Sequence, residues 1–256
     1  MRLKTFINEN RSEHISYSVA QHYIERHCKK ALSSITRYPI YRGNRHIDGE
    51  YFLTNPKNFG ERKSPFADEN YYNLLLSNLP AWSQYPKRNK SVICTTDYEN
   101  ASNRGRGIAH YVLPVDGAKI GVCPRDDIWD GFRDAFEGWY DLSDLNDTIY
   151  SLFRDNGIFR KRSQVDFSSF VKDCLELDKI KNLDPDDYNI FSEYIEGDIP
   201  FIKYLNDILD PEKNGFKLVN VGENMGGDNE VWTDSPCILI DTSSKLGESF
   251  RLEENL

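Results

Sequence analysis

Ser91-Val92-Ile93-Cys94-Thr95-Thr96 is the most strand-like segment of the chain, because β-branched residues form its centre. Two further strand-like runs follow at residues 111–114 and 119–124, and a turn at 115–118 separates them. Strand character appears earlier at residues 38–43 and returns near the end of the chain, at residues 216–221, 231–232 and 237–240. These segments predict a β-sheet to which distant parts of the chain contribute.

Helical periodicity dominates the rest of the sequence. Apolar residues between 12 and 35 recur every three or four positions, which predicts an N-terminal helix with Ser12 as its N-cap. A polar loop is expected at 44–68, a short helix at 71–79, and a loosely ordered tail after Thr242. Amphipathic segments between about 126 and 210 predict a helical insertion that interrupts the sheet. The sequence therefore predicts one α+β domain over 1–256, with an N-terminal helical region at 1–37.

Composition places the chain among globular proteins, since 39% of its residues are hydrophobic and 29% are charged. The net charge of −9 argues against a general nucleic-acid-binding surface, which needs clustered Lys and Arg. Four short segments carry most of the compact positive charge, and we interpret them as solvated surface: residues 42–45, 87–90, 104–106 and 160–162.

The five cysteines are far apart and form no zinc-binding pattern, so we expect small buried hydrophobes in a reducing compartment. The first ten residues carry no apolar signal segment, and no apolar run is long enough to cross a membrane. A cytoplasmic location is the expectation.

Three short motifs follow one another in strand context: Tyr41-Arg42-Gly43, Cys94-Thr95-Thr96 and Asp228-Asn229-Glu230. Their order resembles the arginine, Ser-Thr-Ser and glutamate elements of the mono-ADP-ribosyltransferases of the Arg-Ser-Glu type. The resemblance implies a split antiparallel β-sheet as the NAD-binding core, NAD as co-substrate and no metal. It also implies a transferase that modifies a macromolecule, in the manner of a toxin or a phage–host conflict effector.

The chemistry explains these residue types. Breaking the bond between nicotinamide and ribose builds positive charge on the ribose, and a nearby carboxylate stabilises that transition state. Glu230 is the candidate for this role. Arg42 is the candidate for holding the phosphates or ribose hydroxyls of NAD through its planar guanidinium.

The resemblance assigns supporting roles to the neighbours of these two residues. Thr95, with Thr96 beside it, would support the glutamate or the ribose by hydrogen bonding, and Tyr41 and Gly43 would contact NAD with Arg42. The aromatic ring that stacks on nicotinamide stays open among four candidates, Tyr51, Phe52, Phe59 and Phe66. The loop that recognises the target in this family corresponds to Gly222, Gly226, Gly227 and Asp228.

Two positions depart from the family pattern. Cys94 replaces the usual first serine, so the hydroxyl role passes to the threonines or is absent. Asp228 stands where relatives that modify arginine carry glutamate, so the acceptor stays open; the acidic balance favours protein over nucleic acid. The helical insertion could bind the target, another subunit, or an inhibitor such as an antitoxin.

The sequence also bears on other functions. The chain has neither the glycine pattern of a Rossmann dehydrogenase nor that of a P-loop nucleotidase. A hydrolase could use Cys94 as nucleophile and His110 as base if the fold brought them together. The rival from another class is a non-catalytic interaction protein that binds a partner through the acidic helical region 126–210.

Overall fold

The computed structural model describes residues 12–44, 49–58, 71–136, 140–158, 166–180, 183–185, 188–197 and 199–253. The strands are β1 Glu13–His14, β2 Tyr41–Gly43, β3 Tyr51–Thr54, β4 Val92–Thr95, β5 Ala109–Pro114, β6 Lys119–Val122, β7 Lys217–Asn220, β8 Glu230–Thr233 and β9 Cys237–Asp241. The α-helices are α1 Tyr17–His27, α2 Lys29–Ser34, α3 Tyr71–Asn78, α4 Tyr98–Arg104, α5 Leu142–Asp155, α6 Phe167–Leu177, α7 Ser192–Glu196, α8 Phe201–Ile208 and α9 Lys245–Glu253. The fold is α+β with a large antiparallel sheet, as the sequence predicts at that level.

The chain divides into two compact units. The sheet unit comprises Met1–Arg62, Tyr85–Asp127 and Lys217–Leu256, and the helical unit comprises Lys63–Gln84 and Ile128–Phe216. Most of the predicted helical insertion, about 126–210, falls in the second range of the helical unit. That the two units form one domain stays a prediction.

The sheet has the strand order β1-β3-β9-β5-β2-β4-β8-β6-β7, and its strand pairs are antiparallel. The short strand β2 pairs with β5 over its whole length but meets β4 at one pair, Tyr41 with Thr95. The ladder between β2 and β4 therefore has fewer residue pairs than any other in the sheet.

Alternating side chains give the sheet two apolar faces. On one, here called the helix-packed face, residues of β2, β3, β5 and β9 pack with residues of α1, α2, α4 and α9, including Ala20, Ile24, Ala31, Ala101, Tyr111, Ile240 and Phe250. The other, here called the opposite face, carries a second apolar cluster that includes Ile40, Phe52, Cys94, Val112, Val231 and Leu239.

The helical unit has an aromatic core. Phe201 is fully buried, and its ring centroid lies 5.0 Å from that of Phe191 and 4.8 Å from that of Tyr194. The Trp82 indole donates a hydrogen bond to the carbonyl of Leu209. An Asp141 capping box starts α5, the longest helix described. The described helices are too short or too polar to cross a bilayer.

Four local predictions are wrong. The predicted N-terminal helix is two helices, α1 and α2, which are separated by Cys28. The N-cap of the first helix is Ser16, whose hydroxyl accepts from the amide of Val19, and not Ser12. The predicted loop 44–68 contains β3. This strand has only four residues between polar segments, so the sequence did not reveal it, and it is stabilised by backbone hydrogen bonds to β9. The tail after Thr242 contains α9, whose Phe250 packs on Tyr111 with ring centroids 5.4 Å apart.

Candidate active site

Residues from all three motifs lie in one row across neighbouring strands. Tyr41 of β2 pairs with Thr95 of β4, and Thr95 pairs with Glu230 of β8. Residues paired in this way project from the same face of a sheet, here the helix-packed face. All three are buried, with Thr95 3% and Glu230 2% exposed. The structure thus brings Thr95 and Glu230 together as direct cross-strand neighbours.

Arg42 lies beside this row but projects from the opposite face, because it follows Tyr41 by one residue. Its guanidinium is half-buried, and Nη1 donates a 2.6 Å hydrogen bond to the backbone carbonyl of Ile93. Its direct cross-strand neighbour in β5 is His110. Arg42 and Glu230 therefore belong to nearby strands, but their side chains lie on opposite faces of the sheet.

The two threonine hydroxyls are hydrogen-bonded to the backbone. Thr95 Oγ1 accepts from the amide of Asp97, which opens α4 as its N-cap. Thr96 Oγ1 accepts from the amide of Asn229, and the Thr96 amide donates to the carbonyl of Asn229. Among the described residues, the Thr95 hydroxyl therefore does not bond to Glu230, and Thr96 links the end of β4 to the residue before Glu230.

Glu230 forms a buried ion pair with Arg88, which the sequence-based interpretation missed. Arg88 Nη1 lies 2.6 Å from Glu230 Oε1, and the two side chains are only 7% and 3% exposed. None of the described residues donates a hydrogen bond to the other oxygen, Oε2. A cationic partner is necessary here, because an uncompensated charge in the interior costs several kcal/mol.

Arg88 is held in place by Trp232, two residues after Glu230 on the same face. The Arg88 guanidinium carbon lies 5.7 Å from the centroid of the Trp232 ring, and the Trp232 indole donates a 3.0 Å hydrogen bond to the carbonyl of Pro86. The indole can lie against β6 because its cross-strand partner is Gly121, where a Cβ would come within 2.3 Å of the ring.

The interpretation of residues 87–90 as solvated charge is wrong for Arg88, which is 6% exposed. Its neighbours Lys87 and Lys90 are exposed, as expected. A run of basic residues does not reveal which one points inward. The tryptophan two positions after a candidate catalytic glutamate was the available signal, since a buried indole often contacts a guanidinium.

Tyr41 and Gly43 have structural roles that their predicted contact with NAD does not require. The Tyr41 ring packs against Tyr98 of α4 and Tyr111 of β5, with centroids 5.5 and 5.1 Å away. A Cβ at position 43 would lie 2.1 Å from the carbonyl oxygen of Ala101 and 2.5 Å from the amide nitrogen of Gly105. Gly43 thus allows α4 to pack directly on β2, and its contact with nicotinamide stays a prediction.

The predicted target loop is an exposed turn between β7 and β8. Gly222, Gly226 and Asp228 have positive φ angles of 92°, 86° and 45°, and glycine adopts this region more easily than aspartate. Gly227 is exposed, as are Gly226 and Asp228. Met225 is buried, and its backbone carbonyl accepts a 2.7 Å hydrogen bond from the side-chain amide (Nδ2) of Asn229. The loop is fixed at its base and presents its tip to solvent.

The aromatic candidates divide into two groups. Tyr51 and Phe52 are buried in β3 on opposite faces, with Phe52 packed edge-on to His110 at 5.9 Å. Phe59 and Phe66 lie outside the described residues. The ring that would stack on nicotinamide stays open among the four.

Cys94 and His110 do not form a catalytic pair in this structure. They share the opposite face, but β2 lies between their strands, which separates them by about 9–10 Å. The Cys94 thiol instead contacts the carbonyl of Val92 at 3.8 Å. All five cysteines are buried and free, as the sequence predicts. Next to Glu230, burial raises the pKa of Cys123 to about 12, so its thiol stays protonated at neutral pH.

The described residues contain no cluster of three or more His, Cys, Asp or Glu side chains that could hold a metal ion. No protein-family model, curated protein or solved structure matches this chain.

Proposed function

We propose that this chain is an NAD-dependent mono-ADP-ribosyltransferase that transfers ADP-ribose to a macromolecular acceptor, with protein favoured over nucleic acid. The observation that carries the proposal is the convergence of three distant motifs on the neighbouring strands β2, β4 and β8, with Thr95 directly opposite Glu230. The narrow join between β2 and β4 supports a split sheet of the kind that the family uses to bind NAD.

Glu230 is suited to the bond-breaking step. As the bond between nicotinamide and ribose C1 breaks, its electron pair leaves with nicotinamide and positive charge develops on the ribose. A buried carboxylate acts there in a medium of low dielectric constant, where it stabilises the developing charge more than it would in water. An acceptor nucleophile then bonds to C1 and loses its proton.

Arg42 is proposed to bind the anionic part of NAD through its guanidinium. Because Arg42 and Glu230 project from opposite faces, a dinucleotide that contacts both would have to reach around the end of β4. That end is where Thr96 is bonded to Asn229, at the base of the exposed loop 222–228. The same place therefore serves as the proposed junction of NAD, catalytic carboxylate and acceptor.

The test is incubation of the protein with labelled NAD, with and without a cell extract. We expect nicotinamide release and transfer of label in the wild type, and a loss of at least about 100-fold in Glu230→Gln, which keeps the shape of the side chain but removes its charge. Glu248→Gln, at an exposed position of α9, is the matched control and should retain full activity.

Two outcomes contradict the proposal in different ways. Full activity in Glu230→Gln means that another group stabilises the transition state. A wild type that neither cleaves NAD nor modifies any component of the extract favours the rival function, a non-catalytic protein that binds a partner through its acidic helical region.

A further inference from the structure

We infer that Arg88 is a positioning residue: it holds Glu230 through Oε1 and leaves Oε2 for the reacting ribose. This inference rests on the proposed function. It gives Arg88 the role of supporting Glu230, which the family resemblance had given to the Thr95 hydroxyl. Three observations carry it, namely the buried ion pair, the hydrogen bonding of the nearby hydroxyls elsewhere, and the independent fixation of Arg88.

The threonine hydroxyls near Glu230 accept hydrogen bonds from the backbone and form none with the Glu230 carboxylate. Thr95 Oγ1 accepts from the amide of Asp97, and Thr96 Oγ1 accepts from the amide of Asn229. Cys94 projects from the other face of the sheet and contacts the Val92 carbonyl. Within the described part of the chain, the Glu230 carboxylate is hydrogen-bonded to the side chain of Arg88.

The ion pair engages one carboxylate oxygen, and no described residue donates a hydrogen bond to the other. Arg88 Nη1 lies 2.6 Å from Oε1, so the guanidinium fixes the rotation of the carboxylate and the direction of Oε2. Catalysis depends on such orientation, since a misplacement of about 1 Å can cost about 100-fold in rate.

The positive charge of Arg88 does not cancel the effect of the carboxylate. Coulomb energy falls with distance, so a developing cation about 3 Å from Oε2 and about 6 Å from the guanidinium is attracted about twice as strongly as it is repelled. The attraction is the larger effect. Arg88 thus lowers the stabilising power of the carboxylate in part, and in return fixes it in one orientation.

The position of Arg88 does not depend on Glu230 alone. Its guanidinium lies over the Trp232 ring, the Trp232 indole is bonded to Pro86, and Gly121 provides the space for that ring. Tyr85 stacks on Trp232 from the same segment, with ring centroids 6.4 Å apart. A side chain fixed in this way before the substrate binds has the rigidity that a positioning role needs.

The kinetic test is a double-mutant cycle with Arg88→Met and Glu230→Gln. In the wild-type background, we expect Arg88→Met to lower kcat about 100-fold and to change KM for NAD less than about threefold, since Arg88 does not bind NAD. In the Glu230→Gln background, the same substitution should change the residual rate less than about twofold, because the group that it positions is already inactive. Arg88→Lys, which keeps the charge, should recover part of kcat.

An equal loss of rate in both backgrounds, or a loss that appears in KM, would overturn the inference, because Arg88 would then act on NAD directly. Arg154→Met is the control for loss of an ion pair as such, since Arg154 pairs with Asp155 at an exposed site. It should leave kcat unchanged.

A second measurement separates this inference from the proposed function. The same four proteins are unfolded thermally without NAD. We expect Arg88→Met to lower Tm, and to lower it much less when Glu230→Gln has removed the buried negative charge. An inactive wild type with coupled Tm values would overturn the proposed function but leave the pairing intact. Additive Tm losses would show that Arg88 does not hold Glu230, and would overturn the inference whatever the activity.

Discussion

His110 is a single residue whose burial is expected to make the stability of the protein depend on pH. Its imidazole is fully buried in β5, and neither ring nitrogen makes a hydrogen bond to any residue that the structure describes. Burial is the largest influence on its pKa and lowers it, Asp241 raises it, and Arg42 lowers it further. A contact with the Arg42 backbone raises the pKa slightly but does not meet the geometry of a hydrogen bond. The imidazole is therefore neutral in the folded protein at neutral pH.

We expect stability to fall as the pH drops below about 6.5, the pKa of an unperturbed histidine. Between that pH and the lower pKa of folded His110, the unfolded chain binds a proton that the folded chain does not, so the free energy of unfolding decreases. Urea unfolding at pH 7.5, 6.5 and 5.5 measures this. His110→Phe should unfold at higher urea than the wild type and lose part of the pH dependence.

The control for this measurement is His22→Gln, at an exposed position of α1. It should keep the pH dependence of the wild type. If the stability of His110→Phe depends on pH as strongly as that of the wild type, then carboxylates elsewhere cause the loss of stability at low pH. The burial of His110 would then have no measurable effect on that dependence.

At the scale of elements, the contact between β2 and α4 places the candidate site. Asp97 caps the helix directly after β4, and the helix then packs on β2 over Gly43. The space at Gly43 is closed by backbone atoms of α4, which cannot rotate away as a side chain can. The position of Tyr41, and with it the row that continues through Thr95 to Glu230, depends on this close approach.

Gly43→Ala should therefore lower the free energy of unfolding by about 1–3 kcal/mol or more, since a methyl group would have to displace the backbone of α4. Thermal or urea unfolding measures the change. Gly227→Ala is the matched control, because a Cβ there meets nothing within 4 Å and its φ is not positive; it should stay within about 0.5 kcal/mol of the wild type. Equal stability of the two variants would contradict the packing described for α4.

The sequence revealed some elements and concealed others for physical reasons. The strands β4, β5, β6 and β9 are rich in β-branched and apolar residues, so their own propensity identifies them. By contrast, β3 is stabilised by its neighbours, and α9 carries too few apolar residues to stand out from a polar tail. In the candidate site, the family resemblance predicted Thr95 on the strand next to Glu230, where the structure has it, but the expected hydrogen bond between their side chains is not formed. Arg88 stayed hidden, because its burial depends on Trp232 and Gly121, which no local pattern connects to it.

At the scale of the whole molecule, each compact unit has its own core. Trp82, Phe132 and Phe216 form one aromatic group of the helical unit, and Phe153, Phe170 and Phe201 belong to another. The sheet unit has its two apolar clusters. Because apolar burial is the main source of stability, each unit has the means to unfold as a cooperative body of its own.

Phe201→Ala should test this division. Truncation of a fully buried phenylalanine costs about 3–5 kcal/mol. We expect amide hydrogen exchange to accelerate in α5, α6 and α8, while β5 and β9 keep the protection of the wild type. Ile240→Ala, in the core of the sheet unit, should give the reverse pattern. Acceleration of exchange throughout the chain in both variants would instead support the single domain that the sequence predicts.

The attachment of the loop 222–228 has a consequence for engineering. Both hydrogen bonds between Thr96 and Asn229 lie at the base of the loop, and Met225 fills a buried position within it. We therefore expect that the residues of the exposed tip can be substituted while the base of the loop keeps its position next to β4 and β8. Libraries that vary residues 226–228 and retain Thr96, Met225 and Asn229 would test whether this loop selects the acceptor, as the proposed function expects.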